Sequence, residues 1–320
     1  MRPNPVYIRE MRVSARSPRF PFIVALFNGI LCLVALINMY SVVLRVRTNA
    51  TIQYSSFMDI YEFVTAIEFV LLLFIVPAVT AASISGERER QTLDLMLTTR
   101  MTAAQIVTGK LLGALSSLFV LILSSLPAVA MVFVYGGITW KDAFSLLLCY
   151  VAVAFMAGSL GLFYSAVFRR SAVSTAVTYG TIIAVAAGTY FLNRLALSLS
   201  STNLNRTVAA YTMGENAVRA SSGGMFYLFL MNPAFTFMAV IGNQAGRSTS
   251  FSKLCNYFGV EGTGFVMEHW VALSICLQLA VGAILLAGAV RCLEPGEEEE
   301  KTEEVGKQTI SERRVKNGTD

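Results

Sequence analysis

Long apolar runs constrain this chain more than any other feature. Runs of about 18 or more apolar residues with few charges are typical of membrane-spanning helices. Hydrophobic residues make up 55% of the sequence and charged residues 14%, whereas soluble domains have about 25% charged residues. The sequence therefore predicts an all-α membrane protein with six transmembrane helices. The predicted spans cover about 22–44, 61–84, 111–135, 143–168, 173–192 and 271–292.

The chain divides into one long membrane domain and a short tail. We predict a transmembrane domain over residues 1–293, because the apolar runs are distributed over that whole range. Its first run, 22–44, is longer than the 7–15 residues of a signal-peptide core, so we expect it to remain as a span. Residues 294–320 contain an acidic run and then a basic end. Such a segment is predicted to be disordered.

Basic residues are distributed unevenly between the two sides of the predicted bundle. The short segments 1–21, 85–110 and 169–170 carry 5, 4 and 2 Lys or Arg residues, whereas the turns on the other side carry 2 and 1. Short loops rich in Lys and Arg stay in the cytoplasm. We therefore predict a multi-pass protein of the cell (plasma) membrane with both termini in the cytoplasm.

The segment before the first span has the pattern of a helix lying in the membrane interface. Asn4 suits the N-cap position and Pro5 the first helical position. Apolar residues gather on one side of this helix and arginines on another, as in helices that contact anionic headgroups. An ordinary positively charged flank of a span is the alternative. The arginines predicted to lie at the membrane interface are Arg9, Arg12, Arg16 and Arg19.

One carboxylate falls inside a predicted span. Glu68 lies about two turns into span two, where a charged side chain costs on the order of 2.5–3.5 kcal/mol. It should therefore face protein or water rather than lipid. Protonation, pairing within the bundle and a place on a translocation path all remain open for this residue.

One further apolar segment is too irregular to be assigned as a span. Residues 225–241 are strongly apolar but short for a span, and Asn232-Pro233 interrupts them. We interpret them as a re-entrant or interface-lying helical segment on the outer side, before span six.

Span five, over 173–192, is rich in Ala, Gly and Thr. Small residues favour close helix contact, so we expect this span to pack within the bundle.

The sequence contains no recognisable catalytic, cofactor or metal motif. It has one His, so it predicts no zinc site and no Ser–His pair. Thr108-Gly-Lys110 lacks the upstream Gly and the following Ser or Thr of a nucleotide-binding loop. The sequence has no basic patch with interleaved aromatic residues, so it does not predict nucleic-acid binding. The five cysteines are predicted to pack as small apolar residues, and Cys255, in a polar stretch, is the one candidate for a reactive thiol.

The charged stretch from Ser85 to Lys110 connects spans two and three on the predicted cytoplasmic side. It mixes acidic and basic residues around an apolar row, whereas a helix that only binds lipid favours Lys and Arg. Mixed charge around an apolar row suits docking into a cleft of a soluble protein. We predict a short helix here that binds a partner. The predicted contact residues are Glu87, Arg88, Glu89, Arg90, Thr92, Leu93, Met96 and Leu97.

This stretch resembles the intracellular segment of ABC-2 type permeases, the membrane subunits of ABC exporters. The similarity lies in Ser85-Gly-Glu-Arg-Glu-Arg-Gln-Thr-Leu-Asp-Leu-Met-Leu-Thr-Thr-Arg100 and Ile106-Val-Thr-Gly-Lys-Leu-Leu112. Asn4-Pro-Val-Tyr-Ile-Arg-Glu10 is similar to the start of the interfacial elbow helix of the family, and Asn232-Pro233 to another recurrent feature. Family members usually have Thr-Pro where this chain has Thr99-Arg100.

The resemblance implies a transport mechanism shared between subunits. Two permeases, as a homodimer or a heterodimer, would form the pathway in the membrane lipid, and separate ABC ATP-binding subunits would bind ATP and Mg and hydrolyse ATP. The helix over 85–100 would be the coupling helix. The chain itself would then be no enzyme and would export an unidentified substrate. A membrane scaffold or sensor component that recruits a cytoplasmic partner is the alternative.

Overall fold

A computed structural model of the protein describes residues 4–49, 55–92, 101–135, 139–210, 220–244, 249–260 and 264–294. Within these ranges the chain forms helices and short connections, and it contains no strand. The predicted disordered tail lies almost entirely outside the described residues. In chain order the elements are α1 Pro5–Arg16, α2 Arg19–Asn49, α3 Ser55–Thr80, α4 Ser85–Glu89, α5 Ala103–Tyr135, α6 Trp140–Val167, α7 Ser171–Ala210, a 3₁₀ helix Gly223–Met231, α8 Pro233–Gln244, α9 Thr249–Tyr257, α10 Phe265–Glu268 and α11 Trp270–Leu293.

Six helical segments are long and apolar enough to cross a membrane. This confirms the all-α class and the six-span plan predicted from the sequence. The second segment includes α3, a turn over residues 81–84 and α4. The segments are Phe20–Ser41, Tyr61–Glu89, Ala103–Ser125, Trp140–Val167, Ser171–Leu204 and Trp270–Leu293.

Helix α6 lies at the centre of the bundle. It has the largest buried share of the six segments and packs against α3, α5, α7 and α11. A Cβ atom at Gly161 would overlap the Thr80 side chain and lie 3.1 Å from the backbone nitrogen of Ala81. Gly161 therefore lets α6 approach the end of α3 more closely than a larger residue would allow. Where α6 meets α11, the Phe155 ring packs against Gly282, and a Cβ atom at Gly282 would lie 2.7 Å from that ring.

Helix α7 differs from the expectation that span five packs within the bundle. Only 6% of its most apolar window is buried in the single chain. Its contacts with the rest of the bundle occur at separate points: the Tyr179 hydroxyl donates to the Phe74 carbonyl at 2.6 Å, and Ala186 and Thr189 contact Asn232. Small residues permit close packing but do not specify which surface is packed. The composition of α7 was therefore an insufficient basis for placing it inside.

The apolar segment before the last span is bent rather than straight. The 3₁₀ helix and α8 meet at an angle of 92°, the geometry of a broken span or of a re-entrant loop. Asn232 stabilises the bend: its Oδ1 accepts from the Ala234 N–H at 3.0 Å, and its Nδ2 donates to Thr189 Oγ1 at 2.7 Å. Pro233 then occupies the first position of α8, where its missing N–H is no loss.

Helix α1 begins as its sequence predicts. Asn4 Oδ1 accepts from the Val6 N–H at 3.0 Å, and Pro5 is the first helical residue. The helix packs along the start of α5, where a Cβ at Gly109 would lie 2.8 Å from Val6 Cβ. Its location in a membrane interface remains a prediction. Arg9, Arg12 and Arg16 are exposed, and the side chain of Arg19 lies outside the described residues.

Candidate functional site

Lys110 joins three separate parts of the chain. Its Nζ lies 3.0 Å from Glu87 Oε1 on α4 and 3.4 Å from Glu10 Oε1 on α1. The same ammonium group donates to the Ser83 carbonyl at 3.1 Å. The Lys110 side chain is 3% exposed, so its charge depends on these acceptors rather than on water. We call Glu10, Ser83, Glu87 and Lys110 the junction.

The Gly109-Lys110 pair is explained by this packing. Gly109 leaves room for Val6 of α1, and Lys110 then reaches the carboxylates of α1 and α4. Arg9 adds a weaker contact, with Nη1 3.6 Å from Glu87 Oε1 and a side chain 52% exposed. An exposed ion pair of this kind contributes little, about 0–1 kcal/mol. The junction is thus organised around Lys110.

The other side of α4 is anchored where α6 ends and α7 begins. Ser165 Oγ accepts from the N–H groups of Ile84 and Ser85, both at 2.9 Å. Arg88 Nη1 donates to the Ala166 carbonyl at 3.1 Å. The start of α4 is therefore hydrogen-bonded directly to the end of α6.

Glu89 adds the contact between α4 and α7. Its carboxylate accepts from the Ser171 N–H at 2.9 Å and from the Ser171 hydroxyl at 2.8 Å. Ser171 is the first residue of α7. Together with the junction and the contacts at Ser165 and Ala166, this contact connects one five-residue helix to α1, α5, α6 and α7.

Helix α4 is shorter than the predicted helix over 85–100. It ends at Glu89, and Gln91 has φ of 57°, in the left-handed region. The Thr92 N–H donates to the Glu87 carbonyl and the Gln91 N–H to the Arg88 carbonyl, both at 3.0 Å. This is the Schellman arrangement that terminates helices. The stretch 85–100 is therefore not helical throughout, because α4 ends before Gln91, and residues 93–100 lie outside the described residues.

The predicted partner-contact residues divide into two groups. Glu87 and Arg88 are half-buried and contact the protein itself, and Thr92 donates to the Glu87 carbonyl at 3.2 Å. Glu89 and Arg90 are exposed. Leu93, Met96 and Leu97 lie outside the described residues. Among the described positions, Glu89 and Arg90 are therefore the predicted contact residues that a partner can reach.

Glu68 lies deep in the bundle, with 1% of its surface exposed. Ser125 Oγ of α5 donates a short hydrogen bond to Glu68 Oε1, and the Tyr150 hydroxyl of α6 lies 3.3 Å from Glu68 Oε2. The Tyr150 hydroxyl is closer, at 2.9 Å, to the Thr65 carbonyl. None of the ion pairs between described residues includes Glu68. The hydrogen-bond partners that the structure gives this carboxylate are therefore uncharged.

Several residues that contact α4 or Glu68, and Lys110 of the junction, were not among the predicted site residues. Lys110 was noted only as part of a motif, and Glu10 is the one acidic residue before the first span, a signal that could have identified it. Serine and tyrosine hydroxyls carry no such signal in the sequence. The residues of this kind are Ser125, Tyr150, Ser165 and Ser171. In the part of the chain that the structure describes, no three His, Cys, Asp or Glu side chains are grouped to hold a metal ion.

Fold and site together define a polytopic helical membrane protein with a charged, tightly anchored connection between its second and third spans. The profile of the ABC-2 family transporter proteins matches residues 5–291 of this chain. The chain belongs to this family, as the resemblance of the 85–112 stretch predicted. It is a membrane subunit of an ABC transporter, a class that works with an ABC ATP-binding partner. A search of curated proteins finds no match to the chain.

Proposed function

We propose that this chain is the membrane-spanning subunit of an ATP-driven exporter, and that a separate ATP-binding subunit docks on the stretch 85–100. The observation that carries the proposal is the anchoring of α4 to four other helices through Lys110, Ser165 and Ser171. A force applied to α4 from outside would reach α5, α6 and α7 together. Anchoring of this kind is what a coupling element requires.

Coupling further requires two arrangements of the helices that the bound nucleotide favours differently. In the proposed cycle, ATP and Mg²⁺ bind to the partner subunit and not to this chain. Closure of two ATP-binding subunits displaces α4, and the helices anchored to it follow. A second permease copy, identical or homologous, completes the pathway in the plasma membrane. Both termini and α4 lie on the cytoplasmic side.

Within this proposal Glu68 lies on the translocation path. Its carboxylate is contributed by α3, and its two hydroxyl partners come from α5 and α6. These helices continue to the junction and to the anchors of α4. A rearrangement that starts at α4 therefore changes the surroundings of Glu68.

Co-purification tests the docking step. The tagged chain is co-expressed with a candidate ABC ATP-binding subunit from the same genome, and the complex is captured in detergent. The test variant combines Arg90→Glu, at an exposed position, with Leu93→Asp, the next apolar residue of the stretch, and it should abolish capture. Arg12→Glu is the matched control, because Arg12 is also exposed and basic but lies on α1. Capture that survives the double change would refute docking on 85–100.

A second measurement separates a transporter from a scaffold. Disulfide cross-linking between the two permease copies is compared with and without a non-hydrolysable ATP analogue on the captured complex. A coupled exporter should change its cross-linking pattern with nucleotide. A scaffold that only recruits the ATPase should retain one pattern in both conditions.

A further inference from the structure

A cavity opens beside Glu68, between α5 and α6 and in front of α3. Its volume is about 330 Å³, within the range of about 300–1,000 Å³ that is typical of small-molecule sites. Its residues come from the first half and the middle of α3, from the first three turns of α6 and from the middle of α5. With the predicted topology, these parts lie in the outer half of the bundle.

The mouth of the cavity is apolar and faces outward from the bundle. Phe119, Leu123 and Phe144 line it and are 53%, 54% and 65% exposed. In a membrane protein, apolar side chains on the outer surface of the bundle contact lipid. A molecule dissolved in the bilayer can therefore enter sideways, between α5 and α6.

The inner end of the cavity is polar. Glu68, Ser125 and Tyr150 lie there, linked by the hydrogen bonds described above. Tyr150 has a closer acceptor in the Thr65 carbonyl, at 2.9 Å, than in Glu68 Oε2, at 3.3 Å. A ligand can therefore hydrogen-bond to Glu68 Oε2 while the Tyr150 hydroxyl keeps its hydrogen bond to the Thr65 carbonyl.

The chemistry of this inner end favours a cation. A carboxylate at membrane depth is costly unless it is paired, and the structure shows it with uncharged hydroxyl partners. A ligand ammonium group would pair with the ionised carboxylate and supply strong donors to it. A neutral lipid would leave the carboxylate as it is, and an anionic head would be repelled by it.

We propose that this cavity binds a cationic amphiphile, with its ammonium head on Glu68 and its apolar tail between Phe119 and Phe144. The inference deepens the proposed function by naming a substrate class. It rests on that function only for calling the ligand a substrate.

Photolabelling in lipid nanodiscs tests the proposal on the chain without its ATP-binding subunit. The probe is dodecylammonium with a diazirine at the end of the tail, and the comparison probe is the alcohol with the same tail and diazirine. The ammonium probe should label the α5 and α6 peptides around Phe119 and Phe144. Excess unlabelled dodecylammonium should compete with it, and dodecanol should not.

Two variants assign the charge preference to one carboxylate. Glu68→Gln should reduce ammonium labelling at the cavity by about tenfold or more, the factor that corresponds to ~1.4 kcal/mol. Glu62→Gln should leave it unchanged, because Glu62 lies on the same helix and does not line the cavity. If Glu68→Gln does not fold, the competition experiment on the unmodified chain still decides the question.

Three results would overturn the proposal. These are equal labelling by the two probes, unchanged labelling of folded Glu68→Gln, and labelling spread evenly over the exposed faces of α2 and α7. Failure of the proposed function is distinguishable from these results, since it would appear as surviving ATPase capture in the docking variant. Binding in the cavity does not depend on that capture.

Discussion

Lys110 is one cation placed between two carboxylates that belong to different helices. Because its side chain is 3% exposed, Lys110→Met would leave Glu87 and Glu10 close together without their shared charge. Removing one partner of a buried pair costs about 3–5 kcal/mol. We expect the midpoint of thermal unfolding in detergent to fall clearly for Lys110→Met. Adding Glu87→Gln should restore part of the loss, because it removes the carboxylate charge left unpaired, and the double-mutant cycle measures the coupling of the pair.

Lys141→Met is the matched control for this prediction. Lys141 is exposed at the opposite end of the bundle, and substitutions at such surface positions usually change stability by about 0.5 kcal/mol or less. If Lys110→Met is no less stable than Lys141→Met, Lys110 does not hold the junction together.

Cys255 shows how burial changes a chemical expectation. The polar sequence around it made Cys255 the one candidate for a reactive thiol, but the residue is 4% exposed, on α9 beside Phe258 and Trp270. Burial raises the pKa of the Cys255 thiol, which lowers the thiolate fraction at neutral pH, and the thiolate is the reactive form. We expect maleimide to modify Cys255 slowly in the folded protein and rapidly after denaturation, as followed by peptide mass spectrometry.

Cys292 provides the internal comparison for Cys255. It is exposed near the end of α11 and should react in the folded protein. Equal rates for the two thiols before denaturation would contradict the buried position of Cys255.

At the residue scale, the sequence identified the charges but not their partners. Glu68 was recognisable as a problem because it is a carboxylate in an apolar run. Its hydroxyl partners, Ser125 and Tyr150, are 57 and 82 positions away in the chain. No local pattern distinguishes these hydroxyls from others. The same holds for Lys110, whose partner Glu10 is 100 positions away.

At the scale of elements, the closest approach of α6 to the end of α3 is at Gly161. Gly161→Ala would place a methyl group against Thr80 and 3.1 Å from the Ala81 nitrogen. Overpacking of this kind typically costs about 1–3 kcal/mol. We expect a lower midpoint of thermal unfolding, with partial recovery in Gly161→Ala/Thr80→Ala because the second change removes the Thr80 hydroxyl and methyl groups.

Gly180→Ala is the matched substitution on α7. Nothing lies within 4 Å of a Cβ atom at Gly180, and Ala is favoured over Gly inside a helix by up to about 1 kcal/mol. It should be neutral or slightly stabilising. Equal destabilisation by the two alanines would show that close contact at Gly161 is not the cause.

Helix existence was predictable, whereas helix ends and packing were not. An apolar run in α5 or α11 needs no tertiary contact to be recognised, because lipid requires every backbone group to be satisfied within the helix. The end of α4 at Glu89 depends instead on the left-handed conformation of Gln91, a residue without special preference for it. The 92° bend at Asn232 and the exposed α7 likewise depend on which surfaces meet.

At the scale of the whole molecule, the orientation in the membrane decides whether α4 can meet a cytoplasmic ATPase. The charge distribution predicts that Lys141 faces outward and that Arg169, between α6 and α7, faces the cytoplasm. Both side chains are exposed in the structure, so a cysteine at either position is accessible from its own side. Single cysteines at these positions in a cysteine-free background therefore report the orientation.

The bent pair of the 3₁₀ helix and α8 determines where the chain ends. If this pair returns to the side from which it enters, six spans leave Glu294 in the cytoplasm; if it crosses, a seventh span moves Glu294 outside. We expect a membrane-impermeant maleimide to label Lys141→Cys in intact cells, and Arg169→Cys and Glu294→Cys only after permeabilisation. Labelling of Glu294→Cys in intact cells, with Arg169→Cys still protected, would make the pair a span. Labelling of Arg169→Cys in intact cells would place α4 outside and exclude a cytoplasmic docking partner.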